Sequence, residues 1–153
     1  MSLILQVEIL LQLILAAFLG MVIGLDREYR NQPAGLRTHM LVAVGACLFT
    51  VLSIHAFPGS DPARIASQVV VGIGFLGAGA IINRDGTKHH LTTAATIWVT
   101  AAVGMAVGAG AWFLALGAAL LIWIILAVVR RWSKGNPKTA KADEADSLGI
   151  DES

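Results

Sequence analysis

The sequence predicts an all-α membrane protein, a bundle of five transmembrane helices with its N-terminus outside and its C-terminus in the cytoplasm. Composition is the first reason: 56% of the 153 residues are hydrophobic and 14% are charged, whereas a soluble domain carries about 45–50% and about 25%. Mean hydropathy is +0.74. Patterning is the second reason, because long apolar runs alternate with short polar loops. The third is that the basic residues gather on one side of the predicted membrane.

The apolar runs have the length that a bilayer requires, since a hydrocarbon core of about 30 Å takes roughly 20 helical residues. Residues 91–129 carry no charge and are nearly twice that length, so they must fold back, with a hairpin at Gly108-Ala109-Gly110. Asp61 and Pro62 suit the N-cap and the first position of the third helix. We predict a transmembrane domain over residues 1–132 and a disordered tail over 133–153. The predicted spans are residues 4–25, 40–57, 63–82, 91–107 and 112–129.

Orientation follows from the distribution of basic residues. Of the 11 lysine and arginine residues, only Arg64 falls on the side of the membrane opposite to the first loop, the third loop and the tail. Positively charged loops stay in the cytoplasm. We therefore expect the N-terminus outside and the C-terminus inside.

Glycines cluster where helices are expected to pack closely. Gly20 and Gly24 form a GxxxG pair, which lets two helix backbones approach. Glycines of the third span match the dinucleotide fingerprint GxGxxG, but that motif needs a preceding strand in a soluble βαβ unit, which an apolar run of spanning length excludes. Close packing is the better interpretation, and the third span is expected to be the most buried helix. The predicted packing residues are Gly20, Gly24, Gly72, Gly74, Gly77 and Gly79.

Residues 26–39 form the densest charge cluster before the tail. The positive-inside rule explains the arginines of this loop but not its two carboxylates. Asp26 and Glu28 are candidate Mg²⁺ ligands, because Mg²⁺ prefers hard oxygen ligands. They are two positions apart and point away from each other on a helix, so a shared metal site requires the helix to unwind. The predicted functional cytoplasmic cluster comprises Asp26, Arg27, Glu28, Arg30, Arg37, Thr38, Asn83, Arg84 and Asp85.

Five segments resemble the signature segments of the MgtC/SapB family of bacterial inner-membrane proteins. They occur in order and with matching spacing between residues 20 and 129. The resemblance implies a bacterial inner-membrane location and a role in adaptation to low magnesium and to life inside host cells. Longer members carry a soluble domain after the membrane part. The segments are GLDRE at 24–28, PAGLRTH at 33–39, DPARIA at 61–66, GIGFLGAGAII at 72–82 and LTTAAT at 91–96.

Three function classes remain to be compared. A non-enzymatic regulator that binds another membrane protein through glycine-rich helices is favoured, together with self-association as a dimer or higher oligomer. Transport of Mg²⁺ or another cation is the alternative; no acidic residue lies near the middle of a predicted span, although an oligomer could build a pore on its axis. An enzyme is not expected, because no serine, cysteine or histidine is placed with a base partner. No cofactor is expected, and Mg²⁺ is the one candidate ion. A nucleic-acid partner is not expected either, because the net charge is only +1.

Overall fold

The computed structural model of the protein describes residues 2–57, 59, 61–81 and 91–129. These residues form five helices and no strand. The first four helices are each long and apolar enough to cross a membrane. The predicted tail over 133–153 and the loop residues Asn83, Arg84 and Asp85 lie outside the described residues. The helices are α1 Leu3–Glu28, α2 Leu36–His55, α3 Ala63–Ile81, α4 Leu91–Gly108 and α5 Trp112–Ile124, and α5 continues as a π-helical turn over Ile125–Val129.

Local capping explains where these helices begin and end. The carboxylate of Asp61 accepts the backbone N–H of Ala63 at 2.9 Å, which confirms it as the cap of α3. Between α4 and α5 the chain turns at Gly110, whose φ is 77°. The N–H of Gly110 bonds to the carbonyl of Val107 and that of Ala111 to the carbonyl of Ala106, both at 2.9 Å. This is a Schellman motif, and it lies at the predicted hairpin.

α4 is the central helix, and α3 lies at the edge. α4 contacts each of the other four helices, and half of its 18 residues are buried. α3 buries only Ile73 and Gly77. The expectation that the third span is the most buried is therefore wrong. The prediction failed because a glycine-rich apolar surface suits a helix on the outside of a bundle as well as one inside it.

Glycine contacts join α2 to two neighbours. A Cβ at Gly20 would lie 2.6 Å from the carbonyl oxygen of His39, and one at Gly24 would lie 2.8 Å from Cα of Leu36. On the other side of α2, a Cβ at Gly108 would lie 2.6 Å from the Cys47 carbonyl oxygen, and one at Gly104 would overlap the carbonyl oxygen of Ala43. The backbones of α1 and α4 therefore approach that of α2 too closely for a side chain at these four positions. From the sequence, Gly108 was predicted only as part of a turn, and Gly104 was not predicted as a packing residue.

The glycines of α3 are arranged differently. A Cβ at Gly77 would make an ordinary 3.7 Å contact with Cβ of Ala94 on α4. No atom lies within 4 Å of the corresponding position at Gly72, Gly74 or Gly79. Within the described part of the chain, these three glycines therefore face open space and do not pack against another helix.

Candidate functional site

The candidate site lies at the end of the bundle where α1 connects to α2, which we call the loop end. Both helices are longer here than the predicted spans: α1 continues to Glu28 and α2 starts at Leu36. Only residues 29–35 form the connection. The charged residues that sequence analysis assigned to a loop therefore lie mostly on regular helix, which fixes the direction of each side chain.

A Schellman motif ends α1. Asn31 has a φ of 51°, the left-handed conformation that asparagine tolerates better than most residues. Its N–H bonds to the Glu28 carbonyl at 3.0 Å, and the N–H of Gln32 bonds to the Arg27 carbonyl at 3.1 Å. The chain reverses immediately after these bonds, and the last turn of α1 faces the first turn of α2.

Asp26 is paired with Arg30 one turn later. The Oδ1 atom of Asp26 accepts from Nε of Arg30 at 2.8 Å and from Nη2 at 2.5 Å. The other carboxylate oxygen, Oδ2, is buried and has no hydrogen-bond partner among the described residues. Asp26 therefore has one oxygen paired with Arg30 and one oxygen still able to accept a hydrogen bond.

Glu28 caps α2 from the preceding helix. Its Oε2 atom accepts the backbone N–H of Leu36 at 2.9 Å. The residue at the N-cap position is Gly35, which has no side chain to do this, and a negative charge at a helix N-terminus is favourable. A Cβ at Gly35 would overlap the same Oε2 atom. A glycine at position 35 is thus what allows Glu28 to reach α2.

Arg27 is the one buried side chain with a full charge among the described residues, at 4% exposure. Its Nη2 atom donates to Oγ1 of Thr93 on α4 at 2.7 Å and to Oε1 of Gln32 at 3.1 Å. Because Thr93 is itself 1% exposed, this charge-assisted bond is made away from solvent. It joins α1, the connection and α4 at one point.

Threonines continue the polar interior of α4 beyond Thr93. Thr96 and Thr100 are also buried. The Thr96 hydroxyl donates to the Thr93 carbonyl at 2.8 Å, and the Thr100 hydroxyl to the Thr96 carbonyl at 2.7 Å. These hydroxyls are satisfied by the backbone of their own helix. Thr96 and Thr100 therefore have no hydroxyl hydrogen left to donate to a neighbouring helix.

His39 is fully buried where α2 meets Gly20 and Gly24 of α1. Its Nδ1 atom lies 2.8 Å from the Gly35 carbonyl oxygen, so Nδ1 carries a proton. Its Nε2 atom is buried with no hydrogen-bond partner among the described residues. No described carboxylate accepts from the ring, so the geometry of a catalytic acid–base pair is not present.

The predicted site residues within the described ranges fall into two groups. The structure brings Asp26, Arg27, Glu28 and Arg30 together at the end of α1 and the start of the connection. It does not bring the carboxylates of Asp26 and Glu28 together, because α1 stays helical and each bonds to a different partner. No group of three metal-ligating side chains occurs in the described ranges. Arg37 is exposed on the first turn of α2 and Thr38 is half-buried beside it.

The hydrogen-bond partners of Arg27 and Glu28 were not predicted from the sequence. Thr93 lies 66 positions from Arg27, and Leu36 offers a backbone N–H that no side-chain pattern reveals. Gly35 was named only as part of the PAGLRTH segment at 33–39. No sequence signal identified Thr93, because the burial of Arg27, which calls for a polar partner on a neighbouring helix, is known only from the structure.

The part of the chain that contains the loop end is similar to known proteins. Residues 13–134 match the model of the MgtC family. YhiD of Escherichia coli strain K12 is 44% identical over 129 residues, which is 79% of this chain and 60% of the relative. SapB of Bacillus subtilis strain 168 is 42% identical over 130 residues, 79% and 55% of the two chains. MgtC of Salmonella typhimurium strain LT2 is 46% identical over 113 residues, 74% and 48%.

The chain spans about half to 60% of the length of these curated relatives. No solved structure matched it. The family model covers most of the residues, including all five helices except the first turns of α1. This chain therefore belongs to the MgtC family.

Proposed function

We propose that the protein is a multi-pass protein of the bacterial inner membrane that acts in magnesium homeostasis as a non-enzymatic regulator of another membrane protein. Family membership supports the magnesium role, because the name of the relative YhiD proposes magnesium transport. Five spans are supported by α5, which with its π-helical turn reaches Val129, about 27 Å of helix. The asymmetry of basic residues supports an N-terminus outside and a cytoplasmic loop end.

The observation that carries the regulatory role is the open flank of α3. Gly74 has no atom within 4 Å of a Cβ position, and Ala78, four residues later, is exposed. In lipid, burial of apolar surface contributes little to helix association, so close packing at small residues supplies much of the free energy. A small-xxx-small pair without a neighbour is the surface that a transmembrane helix of another protein would use.

The interior of the bundle favours regulation over conduction by a single copy. Apolar side chains fill it, with Ile23, Val51, Val103 and Val107 at 1% exposure or less. Its polar residues are three threonines bonded to the backbone of their own helices, Thr93 bonded to the cation Arg27 at the loop end, and the side chains of His39 and Ser53. Cation pathways are normally marked by intramembrane carboxylates, and none of the buried side chains described is one.

Growth at low magnesium tests this function. A strain lacking the gene is complemented with wild type, Gly74→Leu or Gly117→Leu, and membrane levels of each are measured. Gly117 on α5 is equally open, so its variant is a matched control. We expect Gly74→Leu to lose complementation at normal membrane levels and Gly117→Leu to retain it. Wild-type growth with Gly74→Leu would contradict the proposal.

Transport by an oligomer is the second candidate, and one observation favours it. The buried Oδ2 atom of Asp26 has no described partner, and a carboxylate oxygen is a suitable Mg²⁺ ligand. Mg²⁺ flux into liposomes carrying wild type or Asp26→Asn decides between the two functions. Flux that disappears in Asp26→Asn would establish a transporter. Absence of flux from folded wild type supports regulation.

A further inference from the structure

We propose that the groove between α2 and α3 binds the same face of a second copy of this chain, across a two-fold axis parallel to the helices. The groove has a volume of about 420 Å³ and an almost wholly apolar lining. It lies on the opposite flank of α3 from Gly74, because residues two positions apart differ by about 200° around a helix. Its walls include Leu41, Gly45 and Phe49 of α2 and Gln68, Gly72 and Leu76 of α3.

Each wall of this α2–α3 groove carries an open glycine. No atom lies within 4 Å of a Cβ position at Gly45 or Gly72. Elsewhere in the bundle, the backbone of α2 occupies the space beside the packed glycines of α1 and α4. Small residues at a membrane helix surface allow another helix to approach closely. The groove thus has the surface that membrane helices use to pack together, but no helix of this chain within the described residues occupies it.

The shape beside the groove favours a second copy over an unrelated helix. Val71 and Phe75 are 69% and 82% exposed, and with Gln68 they recur at helical spacing on the outer face of α3. This ridge borders the groove directly. One face therefore carries both a ridge and a groove, and a two-fold axis places each ridge of a pair in the other copy's groove.

The polar groups on this face are also self-complementary. Gln68 is exposed among apolar residues, and no hydrogen bond of its amide occurs within the described ranges. An amide both donates and accepts, so two Gln68 side chains can bond to each other across the axis. At the start of α3, Asp61 and Arg64 are exposed and carry opposite charges, so each can pair with the other in a second copy. A lipid chain would leave the amide without a partner in hydrocarbon.

Two leucine substitutions test the interface. Gly72→Leu fills the groove, whereas Gly74→Leu adds the same side chain on the other flank, and both positions are open in the single chain. We expect wild type to be dimeric in liposomes by single-molecule photobleaching. Gly72→Leu should weaken dimerisation at least about tenfold and Gly74→Leu should not. Gln68→Leu should weaken it roughly threefold through loss of the interhelical bond.

Cross-linking provides a second readout with the full chain. Cys47 is fully buried, and Cys47→Ala gives a cysteine-free background. In it, Gln68→Cys should form a disulfide-linked dimer, because the two Cα atoms would lie within about 7 Å. Leu116→Cys, at a similar depth on α5, should not.

Three results would overturn the proposal: a monomeric wild type, a dimer that survives Gly72→Leu, or a groove that releases bound lipid in Gly72→Leu without a change of oligomeric state. The inference goes beyond the proposed function, since no magnesium or partner is needed to measure dimerisation. Gly74→Leu separates the two. A dimeric variant with normal growth at low magnesium would remove the regulatory function and leave the dimer interface intact.

Discussion

Thr93→Val tests whether a charge-assisted hydrogen bond joins α1 to α4 at the loop end. Valine has nearly the shape of threonine, so the substitution removes the hydroxyl and keeps the packing. Thr93 Oγ1 accepts from Nη2 of Arg27 at 2.7 Å, and both side chains are buried. A hydrogen bond to a charged group contributes about 1.5–3 kcal/mol. We expect Thr93→Val to lower the free energy of unfolding by that amount.

The matched control is Thr100→Val on the same helix. Thr100 is as buried as Thr93, but its hydroxyl donates to the Thr96 carbonyl of α4 itself at 2.7 Å. Such bonds within one helix add little and often bend it. The control should therefore cost less than about 0.5 kcal/mol. The difference between the two variants reports the bonds that the Thr93 hydroxyl makes outside its own helix, to Arg27 and, at 3.5 Å, to Gln32.

The free energy of unfolding of both variants is measured by SDS titration in mixed micelles. A double-mutant cycle with Arg27→Met then gives the coupling energy of the pair, for which we expect about 1.5–3 kcal/mol. A coupling energy below about 0.5 kcal/mol would show that Arg27 and Thr93 do not stabilise the contact between α1 and α4, because contacting residues should exceed that value. An equal loss of stability in Thr100→Val would show the same.

The same assay checks four further substitutions. Gly104→Ala should destabilise by about 1–3 kcal/mol through overpacking against the α2 backbone, while Gly117→Ala on α5, in open space and outside the α2–α3 groove, should not destabilise; equal effects would contradict the packing described. Gly35→Ala should cost about 0.5–2 kcal/mol by displacing the carboxylate that caps α2, and an unchanged midpoint would show that the cap is unimportant. Asn31→Gly should change stability by less than about 0.5 kcal/mol, because relief of the positive φ offsets the greater flexibility of glycine; a larger loss would indicate another role for the asparagine.

Features set by neighbouring residues were predictable from sequence. The cap at Asp61 and the turn at Gly110 depend on a few adjacent positions, and the structure has both. Helix bounds at the loop end were less predictable. A hydropathy pattern ends where the apolar residues end, at Leu25, whereas α1 continues to Glu28 because charged residues also favour helix.

Contacts between distant residues were not predictable. The bond from Arg27 to Thr93 depends on how three helices are arranged, and the sequence contains no local mark of it. Burial failed for a related reason. Lipid and helix interior are equally apolar, so hydrophobicity cannot separate a lipid-facing surface from a packed one. The glycines of α3 therefore matched an interior helix by composition, and only the arrangement of the bundle shows that three of them are open.

α3 can bind another chain without separating the backbones of α1, α2 and α4. α1, α2 and α4 are interlocked by glycine contacts, so a partner that entered those contacts would have to separate backbones. α3 touches α4 at a looser point, where Gly77 faces Ala94, the residue that follows Thr93. A partner that shifts α3 would therefore act on the turn of α4 that binds Arg27. The Arg27–Thr93 cycle repeated in the Gly72→Leu background measures this link: an unchanged coupling energy would show that the loop end and the α2–α3 groove are independent.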